Sequence, residues 1–372
     1  MRMAVPLPAP LAGIAWQVIL PLIALTLFGA AVLYSAAGGS MEPFAVSHLV
    51  RFGIFMALAL VMSYLPREWV QFAAYPVYCA VLVLLLLVEA LGAIGGGSQR
   101  WLELGPVRLQ PSELMKPAIV LVLASYYHSL PAGAIGAWRS LIAPAVLIVL
   151  PMGLVLMQPD LGTALAIAFG GAAMLFLAGV PGKWFAGGGL IAIIAAPIAF
   201  FFGLQEYQQR RVTTFMDPES DPLGAGYHIT QSKIAIGSGG ISGKGFGGGS
   251  QSHLNYLPEP HTDFVFATMA EEWGLIGGLL VLLIFGMVLR WGLSVARAAP
   301  DRLARLLAAG MTITIFFYVA VNLMMVMGLA PVVGIPLPFM SHGGSSMMTN
   351  MICVGTLMMV NRWSLRPAST RP

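Results

Sequence analysis

The chain has 372 residues, 58% of them hydrophobic and only 9% charged, with a mean hydropathy of +0.84. Soluble domains are about 45–50% apolar and about 25% charged, so these few charges could not solvate a globule of this size, which excludes a soluble enzyme, a disordered chain and a nucleic-acid-binding domain. The formal net charge of +4 reads as basic cytoplasmic loops, because no Lys/Arg cluster with interleaved aromatics accompanies it.

About 20 mostly apolar residues cross a hydrocarbon layer of ~30 Å. By that measure the chain is an all-α polytopic membrane protein, a single transmembrane domain over 1–372. Its ten expected spans lie near 14–36, 46–65, 70–92, 112–129, 140–157, 161–179, 184–203, 263–290, 303–328 and 342–361. The first is too long for the apolar core of a signal peptide and is expected to be retained. Cys79 and Cys353 fall inside spans with no CxxC or metal-ligand spacing and read as small hydrophobes.

Orientation follows from the basic residues. Arg2, Arg67, Arg139, Lys183, Arg290 and the run from Arg297 to Arg305, with Arg362, Arg366 and Arg371, share one side with the N-terminus. The opposite side holds Arg100, Arg108, Arg210, Arg211, Lys233 and Lys244, all in two long segments near 93–111 and 204–262, where the charge rule weakens. Both termini are therefore expected in the cytoplasm, with the long loop 204–262, between spans seven and eight, outside.

That loop is glycine-dense from Gly237 to Gly249. It is not a phosphate-binding loop: Ser238 stands where the P-loop pattern needs Gly, and Gly245 follows Lys244 in place of Ser or Thr. Gly243-Lys-Gly245-Phe-Gly247-Gly248 matches GxGxxG, but no βαβ unit surrounds it. Backbone flexibility or close approach to a ligand is the expected use.

Charges at span edges cost at least ~2.5–3.5 kcal/mol on insertion scales, so each asks for a reason. Arg51 and Glu89 read as snorkelling or paired groups. Arg100-Trp101 joins a phosphate-matching guanidinium to an interfacial aromatic. Glu113 and Lys116, at i,i+3, share a helical face: a mutually neutralising pair, the polar floor of an outer cavity, or both. Asp160, after Pro159, suits a helix cap as well as a functional role. Glu271 and Glu272 suggest a polar bundle interior.

Asp263 is the sharpest candidate. It sits in Pro258-Glu259-Pro260-His261-Thr262-Asp263-Phe264, where the long loop enters a span. An apolar wall on one side would raise its pKa and suit it to proton abstraction, while a helix cap is the competing role. Arg210-Arg211 stand at the other end of the same loop and suit a phosphate-bearing, lipid-linked substrate. His228, His253 and His261 have no metal-ligand spacing, so no metal centre is expected.

Several motifs now converge. They are Gln99-Arg100-Trp101 with Gln110-Pro111-Ser112-Glu113-Leu-Met-Lys116; Gln158-Pro159-Asp160-Leu-Gly162-Thr163; Arg211 to Gly224 through Pro218-Glu219-Ser-Asp221-Pro222; Gln231-Ser232-Lys233; Gln251-Ser252-His253 running into the Asp263 motif; and Asn322 through Pro331 and Gly334 to Ser341-His342-Gly343-Gly344-Ser345-Ser346. Together they resemble the SEDS proteins (shape, elongation, division and sporulation), and within them the RodA branch more than the FtsW branch. His342 departs from the family pattern, which usually has Tyr there.

The resemblance implies a peptidoglycan glycosyltransferase of the bacterial inner membrane that polymerises lipid II into β-1,4-linked glycan strands at the outer face, for cell elongation and rod shape. Asp263 would be the general base. Arg100, Trp101, Glu113, Lys116, Asp160, Arg210, Arg211, Lys233 and His261 would serve substrate binding, the cations with the diphosphate. It implies a class B penicillin-binding protein, a transpeptidase, as partner within the elongation machinery. No cofactor is certain, and a divalent cation stays open. A flippase for the lipid-linked precursor is the alternative. It calls for ionisable groups near the bilayer midplane and inverted repeats, whereas the candidates here gather at the outer rim. A non-catalytic scaffold would leave Asp263, Arg210 and Arg211 without a reason.

Overall fold

The computed structural model describes residues 15–91, 93–95, 98–104, 107–217, 224–254, 256–257 and 259–365. Arg2, Pro258, Glu219, Asp221, Arg366 and Arg371 lie outside the described residues. The long helices are α1 (Trp16–Ala36), α2 (Phe44–Met62), α3 (Arg67–Leu91), α4 (Pro111–Ser129), α5 (Arg139–Met157), α6 (Leu161–Ala178) and α7 (Gly182–Ile198). After them come α8 (Glu206–Met216), α9 (Ala225–Gly239), the single turn α10 (Ser250–His253), α11 (Val265–Ala298), α12 (Arg302–Val326) and α13 (Gly344–Leu365).

Eight of these helices are long and apolar enough to cross a membrane, and with the multi-pass pattern they make the chain an all-α polytopic membrane protein. The other two expected spans, α4 and α13, are present as helices of 19 and 22 residues but fall outside that group. Their polar residues are enclosed by neighbouring helices: Glu113 and Lys116 on α4, and Ser345, Thr349 and Asn350 on α13, are all buried. A helix shielded from lipid by other helices does not need an apolar surface all round.

The segment 93–111 departs from all-helix. Three short strands, β1 (Ala93–Gly95), β2 (Ser98–Leu104) and β3 (Val107–Leu109), form an antiparallel sheet in the order β1-β2-β3. Three-residue edge strands are too short to show an alternating pattern in sequence.

The long segment 204–262 is not a plain loop either, since it contains α8, α9 and α10. Its glycine run packs on α11, which Gly274 breaks at φ 60°, ψ −157°. Four main-chain hydrogen bonds bridge the break: Lys244 N to Glu271 O and Gly245 N to Glu272 O, both 3.0 Å, with Leu275 N to Gly240 O at 2.9 Å and Ile276 N to Ile241 O at 3.2 Å. A side chain on Gly243 would overlap the Glu272 carbonyl, so glycine here permits close approach to a helix backbone. Buried Glu271 completes the joint, accepting from Lys244 Nζ at 2.6 Å and from Ser250 Oγ at 3.0 Å.

α12 is the most enclosed spanning helix, packed against α4, α6, α11 and α13. At the opposite extreme, α7 with its π-helical extension (Ala199–Gly203) buries none of its residues.

Candidate active site

Asp263 lies just before α11. The helix is capped at Phe264, with no side-chain cap, so the capping role considered for Asp263 is not realised. Instead its main chain is held from two sides. Asn322 Nδ2, on α12, donates to the Asp263 carbonyl at 2.9 Å and to the Ile335 carbonyl at 2.7 Å. The His342 N–H donates to the His261 carbonyl at 2.8 Å. The carboxylate rests against Gly334, where a Cβ would stand 3.3 Å from Oδ2.

Burial pushes the Asp263 carboxyl up to about 6; Glu259 pushes the same way and the Arg211 guanidinium opposes it. That leaves a carboxylate ionised at neutral pH and markedly more basic than an exposed one, as a general base requires. Arg211 is thus brought to Asp263. Arg210 follows it on α8 and is exposed; residues i and i+1 on a helix point in different directions, which separates the two arginines.

His261 stacks on Phe44 with centroids 4.0 Å apart, and its Nε2 is 3.4 Å from Glu259 Oε2. Burial lowers its pKa, so the ring is neutral at pH 7. His342 stands edge-on to Phe44 and takes a hydrogen bond on Nε2 from Arg51 Nη1 at 3.0 Å. Burial and Arg51 bring its pKa down to about 4, so it is neutral with the proton on Nδ1. The residue that departs from the family pattern therefore adjoins the Asp263 turn, and Arg51 is a paired group as expected.

The remaining candidates sort into two further places. Asp160 caps α6, accepting from Thr163 N at 3.1 Å, and also takes Gln110 Nε2 at 3.2 Å. Arg100 lies 3.8 Å from it and donates to the main-chain carbonyls of Gln158 and Pro159, tying β2 to the α5–α6 turn. Trp101 is half-buried on β2. No contact joins Arg100 to Asp263 among the described residues.

Glu113 and Lys116 are 6% and 3% exposed, with Lys116 Nζ 2.5 Å from Glu113 Oε1. Tyr318 of α12 closes the cluster, taking Lys116 at 2.8 Å and donating to Glu113 Oε2. The neutralising-pair reading holds, with a third member that charge counting passed over. Lys233 is exposed on α9, its ammonium lying over Gly328 just beyond α12.

Sequence reasoning missed Tyr318, and it named Asn322 within a motif without giving it a role. The signal was available: two polar side chains at i,i+4 within an apolar span share one face. That face touches the Glu113–Lys116 pair with one residue and the Asp263 main chain with the other. Among the described residues no group of three or more His, Cys, Asp or Glu could hold a metal ion.

Comparison with known proteins places the chain in a family. Residues 12–365 match the FtsW/RodA/SpoVE family, described as cell cycle proteins. The peptidoglycan glycosyltransferase MrdB of Escherichia coli K12 is 43% identical over 357 residues, 92% of each chain. Stage V sporulation protein E of Bacillus subtilis is 40% identical over 292 residues, 77% of this chain and 78% of that one. A chain from a solved peptidoglycan synthase complex, described as coordinating polymerization and crosslinking, superposes with TM-score 0.82 at 32% identity, covering 95% of this chain and 98% of that one. The rod shape determining protein RodA of Thermus thermophilus gives 0.71 at 30% identity with the same coverage. The chain belongs to the FtsW/RodA/SpoVE family.

Proposed function

We propose that the protein is a peptidoglycan glycosyltransferase that polymerises lipid II at the outer face of the cytoplasmic membrane, with Asp263 as general base. One observation carries this reading: a carboxylate unused in capping, raised to about 6 by burial and lying within the field of Arg211, where the long segment enters the membrane. The names of the relatives support the substrate class.

In the reaction, Asp263 takes the proton from the 4-hydroxyl of the acceptor GlcNAc. The oxygen attacks C1 of the donor MurNAc from the face opposite the diphosphate, the C1–O bond to phosphate breaks, and the α-linked donor becomes a β-1,4 link. Undecaprenyl diphosphate leaves with the electron pair. Diphosphate is a far better leaving group than a sugar alkoxide, so one carboxylate suffices and the need is for positive charge. Arg211 is nearest the base, and the exposed cations Arg210 and Lys233 extend the field along the same segment. Asp160 and Arg100 tie β2, with Trp101 on it, to the α5–α6 turn, the Glu113–Lys116 pair braces the interior, and His261 stacks on Phe44 two residues before the base.

The partner is a class B penicillin-binding protein, a reading supported by the synthase complex that contains a related chain. With that partner, Asp263→Asn is expected to abolish conversion of lipid II to glycan strands while leaving fold and partner binding intact. Strand synthesis by the variant at the wild-type rate would remove Asp263 from the role.

A further inference from the structure

A second polar pocket opens at the outer end of α1. It has a volume of about 600 Å³ and is lined by Tyr34, Ser35, Phe246, Ser252 and His253, with glycines at its rim. That size lies within the range of small-ligand sites, about 300–1,000 Å³. It is built from three chain segments: the end of α1, the glycine-rich run that bridges the α11 break, and α10. None of its lining residues belongs to the Asp263 cluster.

The chemistry of the lining is specific. Tyr34 and Phe246 lie nearly parallel, with ring centroids 6.2 Å apart and planes at 11°, and Trp273 backs Phe246 at 6.3 Å. Phe246 is more than half exposed. Behind the opposite wall stands Glu272, which is 1% exposed and accepts the Ser35 hydroxyl proton. His253 Nε2 lies 2.8 Å from the Ser35 carbonyl. Ser35 is itself only 2% exposed, its Oγ committed to Glu272 and 3.5 Å from His253 Nε2, so the accessible lining is the two rings, the half-buried His253 and the main-chain groups of the exposed glycines. A buried carboxylate behind that wall disfavours phosphate, while flat ring faces beside polar main-chain groups suit a neutral polyol with C–H-rich faces and O–H or N–H donors.

We propose that this pocket is a subsite for the glycan strand, taking a saccharide unit against the Tyr34 and Phe246 rings with its hydroxyl or amide groups directed at the main-chain groups of the glycine rim. The assignment rests on the polymerase reading above. Glu272 lies seven residues into α11, about 10 Å along the helix from its start beside Asp263, at 1.5 Å per residue. A β-1,4-linked oligosaccharide of a few units is long enough to span that separation.

The test uses the full-length protein in nanodiscs and a lipid-free tetrasaccharide of alternating GlcNAc and MurNAc as probe, with binding followed by saturation-transfer NMR. Wild type is expected to bind, and Asp263→Asn to bind within about twofold of it. Tyr34→Ala with Phe246→Ala is expected to weaken binding at least tenfold, while Tyr34→Phe with Phe246→Tyr, which keeps both rings, retains it. Because removing two rings also disturbs packing, retention by the ring-conserving pair carries the positive result, and its loss counts against the proposal. Absence of tetrasaccharide binding to wild type, binding indifferent to the rings, or binding of a free stem pentapeptide in its place would each overturn the subsite. Strand synthesis from lipid II is measured on the same preparation after the penicillin-binding partner is added: synthesis without tetrasaccharide binding sinks the subsite alone, and binding without synthesis sinks the polymerase reading.

Discussion

Asn322 holds the main chain of Asp263: one buried amide nitrogen donates both to the Asp263 carbonyl at 2.9 Å and to the Ile335 carbonyl at 2.7 Å. Two segments that converge on the carboxylate are thereby fastened to the most enclosed helix of the bundle. The catalytic turn is positioned from the membrane interior outward.

Asn322→Ala is accordingly expected to leave two carbonyls without their donor and to cost about 1–3 kcal/mol of stability. Polymerisation should fall mainly in kcat, because the amide orients the base and does not touch substrate. A variant that loses lipid II affinity at unchanged kcat would contradict this assignment.

The pH profile follows from the raised Asp263 carboxyl. A base must be ionised, so the rate should climb as pH rises through about 6 and level off above it. Glu259→Gln removes a neighbour that raises the carboxyl and should move the inflection down. Arg211→Ala removes one that lowers it and should move the inflection up. Initial rates of strand synthesis across pH 5–8 for the three proteins, a window set around that value, check both directions.

Breaking the Glu113–Lys116–Tyr318 cluster on one side should be worse than removing its ion pair whole. Lys116→Met leaves a buried carboxylate without its cation and is expected to cost about 3–5 kcal/mol. The double variant Glu113→Leu/Lys116→Met should unfold at a higher temperature than either single variant. Additive losses in a thermal-shift series would show that the pair is not coupled.

Gly243→Ala places a methyl group on the Glu272 carbonyl at a residue with φ +80°. Overpacking of this kind costs about 1–3 kcal/mol. The bridging segment should loosen from α11, and trypsin should cut after Lys244 faster than in wild type. Equal cleavage rates would mean that the joint tolerates the side chain.

Much of this organisation was legible in the residues themselves. Apolar runs located the long helices, because lipid selects composition over some twenty residues at a time. Asp160 announced its cap through position and its neighbouring Pro159. Asp263 stood out because a carboxylate at a membrane entrance is expensive. What stayed hidden depends on which segments meet in space. The partition of Arg210 from Arg211 follows from helix rotation, and Tyr318 carries no charge to flag it. The pairing of Lys244 with Glu271 joins residues 27 apart, across a helix break that a single glycine inside an apolar span does not announce.

The bridge across Gly274 consists of main-chain groups, and its two sides, Gly240–Gly245 and Glu271–Ile276, bracket the segment that carries Asp263. It acts as a clasp, turning that segment into a closed lobe whose two ends cannot drift apart. Loop closure is thereby settled near the base of the lobe, and only the short arc around Asp263 remains to be ordered. The four bonds of the clasp have no side chain to delete. Alanine scanning across it should therefore register only its glycines and the Lys244–Glu271 pair, and the main-chain bonds that frame the catalytic turn would go unseen in a conventional mutational survey.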